Sequence, residues 1–127
     1  RDSSTSRGLG DVYKRQGITS LPDFAFYGCS ALETVSFAEG SRLTTIGGSA
    51  FNGCTSLKEL TLPQGVKTIY GNAFRGCSNL VSVYLPDTVS YITGGAFRDC
   101  GKVVLSVAYN SYAKQYAISN GIAYVER

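Results

Sequence analysis

Apolar residues in this chain recur over a long period rather than along one helix or strand face. The dipeptide Ala-Phe occurs at Ala25-Phe26, Ala50-Phe51, Ala73-Phe74 and Ala96-Phe97, at spacings of 25, 23 and 23 residues. Three residues after each Phe stands a cysteine: Cys29, Cys54, Cys77 and Cys100. Three after each cysteine stands an aliphatic: Leu32, Leu57, Leu80 and Val103. Val35, Leu60 and Val83 follow three further on, then Phe37, Leu62 and Leu85 two beyond them. Four residues before each Ala lie Leu21, Ile46, Ile69 and Ile92, preceded at three residues by Ile18, Leu43, Val66 and Val89. Self-similarity at this period marks a repeat architecture.

The spacing predicts the unit. In Leu57-x-x-Leu60-x-Leu62 the final alternation puts Leu60 and Leu62 on one face of a short strand and Glu59 and Thr61 on the other. Ala50-Phe51-Asn52-Gly53-Cys54 is too short for a regular helix and reads as a helical turn that drops Phe51 and Cys54 inward. Pro63-Gln64-Gly65 is a turn, and Val66 to Ile69 is a second extended piece. A unit of this size cannot bury its apolar groups alone. Stacked at the strand spacing of about 4.8 Å, each column of equivalent residues becomes a buried ladder. The first repeat's two extra residues fall between Phe37 and Ile46, where a surface turn absorbs an insertion.

The last unit changes character. Val103 to Val107 is strand-like, one residue out of register. Asn110 to Ala117 reads as a short helix with Asn110 or Ser111 as N-cap and Asn120-Gly121 as its stop. Ile122 to Val125 is a final strand. Residues 110–127 are thus expected to form a C-terminal cap over the open end of the ladder.

The Leu-x-x-Leu-x-Leu pattern at 23 residues resembles a leucine-rich repeat. The added Ala-Phe-x-Gly-Cys-x-x-Leu signature, with Leu62-Pro63 and Leu85-Pro86 after the strands, resembles the BspA-type subfamily from about Gly17 onward. Phe37-Ala38 in place of Leu-Pro, and Asp99 in place of the Gly before Cys100, depart from the pattern at turns. The resemblance implies a right-handed leucine-rich-repeat solenoid of about four repeats over residues 17–109. It also implies a bacterial surface or secreted protein, located extracellularly, that adheres to protein or glycan ligands of host or neighbouring cells.

Residues 1–16 fit no register of the repeat and read as a disordered tail or a sequencing artefact. Arg1-Asp2-Ser3 and Asp11 to Gln16 resemble the conceptual translation of adapter read-through. The 127-residue chain has no Met, which suggests the C-terminal fragment of a longer array.

Composition narrows the chemistry. Hydrophobic residues make up 43% of the chain and charged residues 17%, enough to bury a core. The net charge of +3 is concentrated in the tail, where Arg1, Arg7, Lys14 and Arg15 face Asp2 and Asp11. The nearly neutral body gives no support for a nucleic-acid partner. No apolar run approaches the roughly 20 residues of a membrane helix, so membrane insertion of this segment is not expected. There is no His, which removes the Ser-His-Asp triad, the Cys-His dyad and His-ligated metal sites. With no paired carboxylates either, an enzyme, a metal centre and a cofactor are not expected.

The four cysteines follow the repeat period rather than CxxC spacing. Stacked Cα atoms about 5 Å apart would permit a disulfide, but a dry ladder of buried free thiols is the preferred reading. Phe26, Phe51, Phe74 and Phe97 form the ladder beside it. A hydroxyl placed in that cysteine column is expected to lack a partner. Glu33 and Lys58, at equivalent positions, are expected to pair across coils, and Arg75 and Arg98 to line a solvated edge near Asp99. The outward strand positions, Thr34, Glu59 and Ser82 with Ser36, Thr61 and Tyr84, are the systematic binding surface. Within it Glu59, Thr61, Ser82 and Tyr84 are candidate contacts, with Tyr70 and Tyr91 as a second aromatic patch. The competing function is a structural spacer with no ligand of its own.

Overall fold

The structure, a computed structural model, describes residues 18–127. The tail assigned to residues 1–16 lies outside them. Eight short strands and one helix follow in chain order. They are β1 (Ser20–Leu21), β2 (Thr45–Ile46), β3 (Glu59–Thr61), β4 (Thr68–Ile69), β5 (Ser82–Leu85), β6 (Tyr91–Ile92), β7 (Val104–Val107), α1 (Tyr112–Ser119) and β8 (Tyr124–Glu126). They form two parallel sheets, β1-β2-β4-β6 and β3-β5-β7-β8. From β2 to β7 the chain alternates between the sheets, and each of these strands pairs with its equivalent one coil away. Thr45 aligns with Thr68, Thr68 with Tyr91, and Val83 with Leu105. The result is a β-solenoid of about five turns with a single C-terminal helix.

The Ala-Phe turns add a third column of bonds between coils. Along Ser49 to Cys54 the backbone N–H groups alternate in direction. Phe51 donates to Ala73 C=O (2.7 Å) and Gly53 to Arg75 C=O (2.8 Å), across coils. Ala50 and Cys54 donate back to Gly47 and Phe51 C=O, within the turn. Local i→i−3 bonds make the turn helical, and the alternate ones lock it to its neighbour. The residue before each cysteine must take a left-handed backbone to reverse the chain there. Gly28, Gly53 and Gly76 do so at φ +73°, +83° and +75°, and Asp99 follows them at +63°. The departure from glycine at Asp99 therefore keeps the turn and accepts the strain of a side chain in that region.

One core runs the length of the solenoid. Phe26, Phe51, Phe74 and Phe97 stack nearly parallel with centroids 5.4, 5.3 and 5.0 Å apart. Leu32, Leu57 and Leu80 form another fully buried column. The four cysteines are free and buried, but a donor in their column does not lack a partner. The thiols of Cys54, Cys77 and Cys100 donate to the carbonyls of Phe26, Phe51 and Phe74 at 3.2, 3.1 and 2.9 Å. Each of these carbonyls already accepts the backbone N–H of its own coil's cysteine, and its second lone pair takes the thiol one coil on, so a donor at this position has a partner.

The cap forms as the sequence suggested, with small shifts. Ser111 is the N-cap, its Oγ accepting from Lys114 N–H at 3.1 Å. Ala113, Tyr116 and Ala117 are buried against the last coil, where Tyr116 meets Phe97 at 6.3 Å. Strand β8 then pairs with β7.

The first coil departs from expectation. Residues 32–36 take no strand and Phe37 makes only an isolated bridge, so the second sheet ends at β3. Thr34 and Ser36 therefore do not extend the rungs of Glu59 and Thr61. The longer connection from Phe37 to Ile46 lets the chain reach β2 without holding residues 33–36 in step with β3. For the same reason Glu33 and Lys58 do not pair. Among the described residues the ion pairs are Arg75–Asp99 (3.7 Å) and Lys114–Glu126 (3.1 Å). The first bears out the expectation of an arginine edge beside Asp99.

Candidate functional site

The outer face of the second sheet is built by strand alternation. Leu60, Val83 and Leu105 point into the core, which turns Glu59, Ser82 and Val104 outward in one rung and Thr61, Tyr84 and Ser106 in the next. Glu59 and Thr61 are exposed, and Ser82 and Tyr84 are half-buried. Ser106 is covered, its Oγ accepting from Arg127 Nε at 2.7 Å. The four strand-face residues singled out in the sequence are thus brought together, with Tyr84 as their aromatic member.

Tyr70 and Tyr91 do not join them. They belong to the first sheet's surface, both about half exposed. Tyr91 heads β6 in step with Thr68, whereas Tyr70 lies one residue past β4, so the two are diagonal neighbours rather than members of one rung.

Two features escaped the sequence reading. The first is an aromatic pair, Phe24 and Tyr27, with centroids 5.5 Å apart in an edge-to-face arrangement and both rings more than half exposed. Phe24 takes φ +64°, an unusual backbone for an aromatic residue. Equivalent positions in later coils hold Ser49 and Asn52, Asn72 and Arg75, and Gly95 and Arg98. The signal was there in the alignment, at positions set aside as turn residues. The second is a cleft of about 570 Å³ where the first coil parts from the second, lined by Thr34, Ser36 and Glu39 on one side and Glu59, Thr61 and Pro63 on the other. Only the failure of a strand to form creates it, and no residue pattern marks that failure.

Cys54 and Cys77 are poor nucleophiles. Burial, with Cys29 adjacent, pushes the Cys54 thiol up to about 12. Cys77 is raised as well, by contact with the Cys100 thiol and by burial. A thiol is nucleophilic only as the thiolate. Among the described residues no group of three or more His, Cys, Asp or Glu could hold a metal ion, and no helix is long and apolar enough to cross a membrane.

Paired parallel strands, repeat-long residue ladders and a capping helix define a leucine-rich-repeat solenoid. The chain matches the BspA type leucine rich repeat region, described as six copies, over residues 6–121, and it belongs to that family. The match begins inside the segment read from sequence as a non-repeat tail. Among solved structures, a leucine-rich repeat protein from Bacteroides ovatus ATCC 8483 is similar at 28% identity and a TM-score of 0.74, over 91% of this chain and 29% of that one. A leucine rich cell surface protein from Faecalibacterium prausnitzii A2-165 is similar at 26% identity and 0.57, over 86% of this chain and 35% of that one. A leucine rich repeat protein of T. pallidum is similar at 30% identity and 0.51, over 76% and 57%. The chain therefore spans about a third of the length of the first two. No curated protein matches it significantly. The family suggests a protein-interaction module, and repeat families of this fold are typically non-enzymatic.

Proposed function

We propose that this chain is part of a bacterial cell-surface or secreted adhesion protein that binds protein or glycan ligands through the outer face of the β3-β5-β7 sheet. The observation that carries the reading is the in-register cluster of Glu59, Ser82, Thr61 and Tyr84 on adjacent coils. Rigid parallel pairing holds their spacing before any ligand arrives, which lowers the cost of ordering them on binding. Tyr84 supplies apolar area and a hydroxyl at low entropic cost, and the flanking carboxylate and hydroxyls supply hydrogen bonds. Surface display is supported by the cell-surface designation of the F. prausnitzii neighbour.

The test is binding of the chain to a glycan array and to a panel of immobilised extracellular proteins, wild type against Tyr84→Ala. The substitution is expected to weaken the strongest signal by about tenfold, the scale of one interface anchor. An unchanged signal, or no binding to either panel, returns the chain to the role of a spacer.

A further inference from the structure

The end of the second sheet leaves a row of backbone groups with nothing opposite. On either side of β3, Lys58 C=O accepts from Val81 N–H at 2.8 Å, and Leu62 N–H donates to Tyr84 C=O at 3.2 Å. Even-numbered residues here turn their backbone toward β5. Successive backbone groups of a strand point to opposite sides, so those of Glu59 and Thr61 turn away from β5, toward the first coil. The next interface shows the arrangement completed, since the equivalent Tyr84 C=O is taken by Leu62 N–H. Across from Glu59 and Thr61 the first coil offers no strand, and among the described residues no backbone group pairs with theirs.

This bare edge opens into the cleft rather than onto a flat surface. The volume of about 570 Å³ falls within the range of formed binding sites, about 300–1,000 Å³. Among the described residues its lining carries the exposed carboxylate of Glu59 and no cationic side chain. A second copy of the chain is a poor occupant. Its own free edge would bring another Glu59 into the same cleft, and like charges oppose each other across strands.

From these observations we infer that the cleft receives a short extended peptide of a partner protein, carrying lysine or arginine, which pairs with the Glu59–Thr61 edge as an added strand. Backbone bonds to Glu59 and Thr61 supply affinity, and Glu59 selects the cationic side chain. The inference rests on the reading of the chain as an interaction module but uses the edge of the sheet instead of its face.

The test is a fluorescence-anisotropy titration of the full chain with a labelled Val-Lys-Val-Lys-Val peptide. It is compared with the same peptide N-methylated at alternate amides, in both registers, and with Val-Glu-Val-Glu-Val. The lysine peptide is expected to bind, and methylation in one register only to weaken it by about tenfold, as loss of two hydrogen bonds should. The glutamate peptide should bind at least about tenfold more weakly. Thr61→Pro, which removes an N–H facing the cleft and none facing β5, should weaken the lysine peptide likewise while leaving the melting transition in place. Equal binding of both methylated peptides, equal binding of the glutamate peptide, absence of binding, or a dimer that excludes the peptide would each overturn the inference. The methylated peptides need no variant, so the result stands even if Thr61→Pro fails to fold. N-methylation reads the edge alone, so its failure leaves the Tyr84 face reading intact, and failure of Tyr84→Ala leaves this one intact.

Discussion

The two ends of the described solenoid meet the same physical problem differently. Stacked coils end in a strand edge and an apolar layer at each side, and both cost free energy when left open to water. At the C-terminal end the chain covers the apolar layer and moves the edge of the second sheet outward by one short strand. Strand β8 covers the edge of β7, and Tyr116 covers Phe97. The Tyr112 hydroxyl accepts from Ile92 N–H at 3.0 Å, so one side chain ends the ladder of the first sheet. Lys114 and Glu126 tie the helix to the last strand. At the first coil, β3 has no partner on its outer side, a cleft opens beside it, and Phe24 and Tyr27 stand exposed. The repeats are nearly identical in their buried positions, so among the described residues the difference lies in the cap on one side and the missing strand on the other. Covering contacts collect at the cap, and unpaired polar backbone collects along β3.

The comparison is breakable. Tyr116→Ala should have the largest effect, about 3 kcal/mol in urea unfolding, because it uncovers Phe97 and leaves a cavity under α1. A loss below about 1 kcal/mol would mean that the cap rests on the stack without supporting it. A matched pair comes next. Val83 and Val35 occupy the same repeat position, but Val83 lies within a ladder paired on both sides and Val35 in the coil that forms no strand opposite β3. Val83→Ala should cost about 2–3 kcal/mol and Val35→Ala about half of that. Equal losses would show that the first coil is as tightly held as the third. Tyr112→Phe removes the acceptor of Ile92 N–H, and at this partly exposed site should cost about 1 kcal/mol. Hydrogen exchange would sharpen the result, with Ile92 the amide whose protection falls most. The smallest effect is a gain. Asp99→Gly should stabilise by up to about 1 kcal/mol, since glycine takes φ +63° without penalty and the exposed Arg75 contact it gives up is weak. A lower melting temperature for this variant would mean that the Asp99 side chain matters beyond its turn.

Much of this was legible from spacing. The Phe and Cys columns, the turn at Pro63 and the register slip before Leu105 followed from aligning one unit on the next, and capping residues narrowed the helix N-cap to Asn110 or Ser111. What the alignment could not show is where backbone bonds go once side chains are in place. The thiol of Cys77 looked like a small hydrophobe because its partner, Phe51 C=O, belongs to the preceding coil and is a backbone atom. Replacing that thiol by a hydroxyl therefore weakens a bond rather than stranding a donor. Tyr70 and Tyr91 were read as one patch because both lie on the second extended piece. Strand register places them diagonally, two residues apart on adjacent strands, and register is set by the packing of Ile69 and Ile92.

Repetition by itself determined the class of this protein. A unit of 23 residues with eight recurring apolar positions has only one way to bury them, which is to lie against a copy of itself, and that requirement specifies the coil, the ladders and the family. The tertiary structure alone decided where the stacking stops being regular. The first coil carries the apolar residues of a full repeat and still forms no strand opposite β3. Side-chain burial is satisfied there without backbone pairing, and an amino-acid pattern records only the first of these two terms.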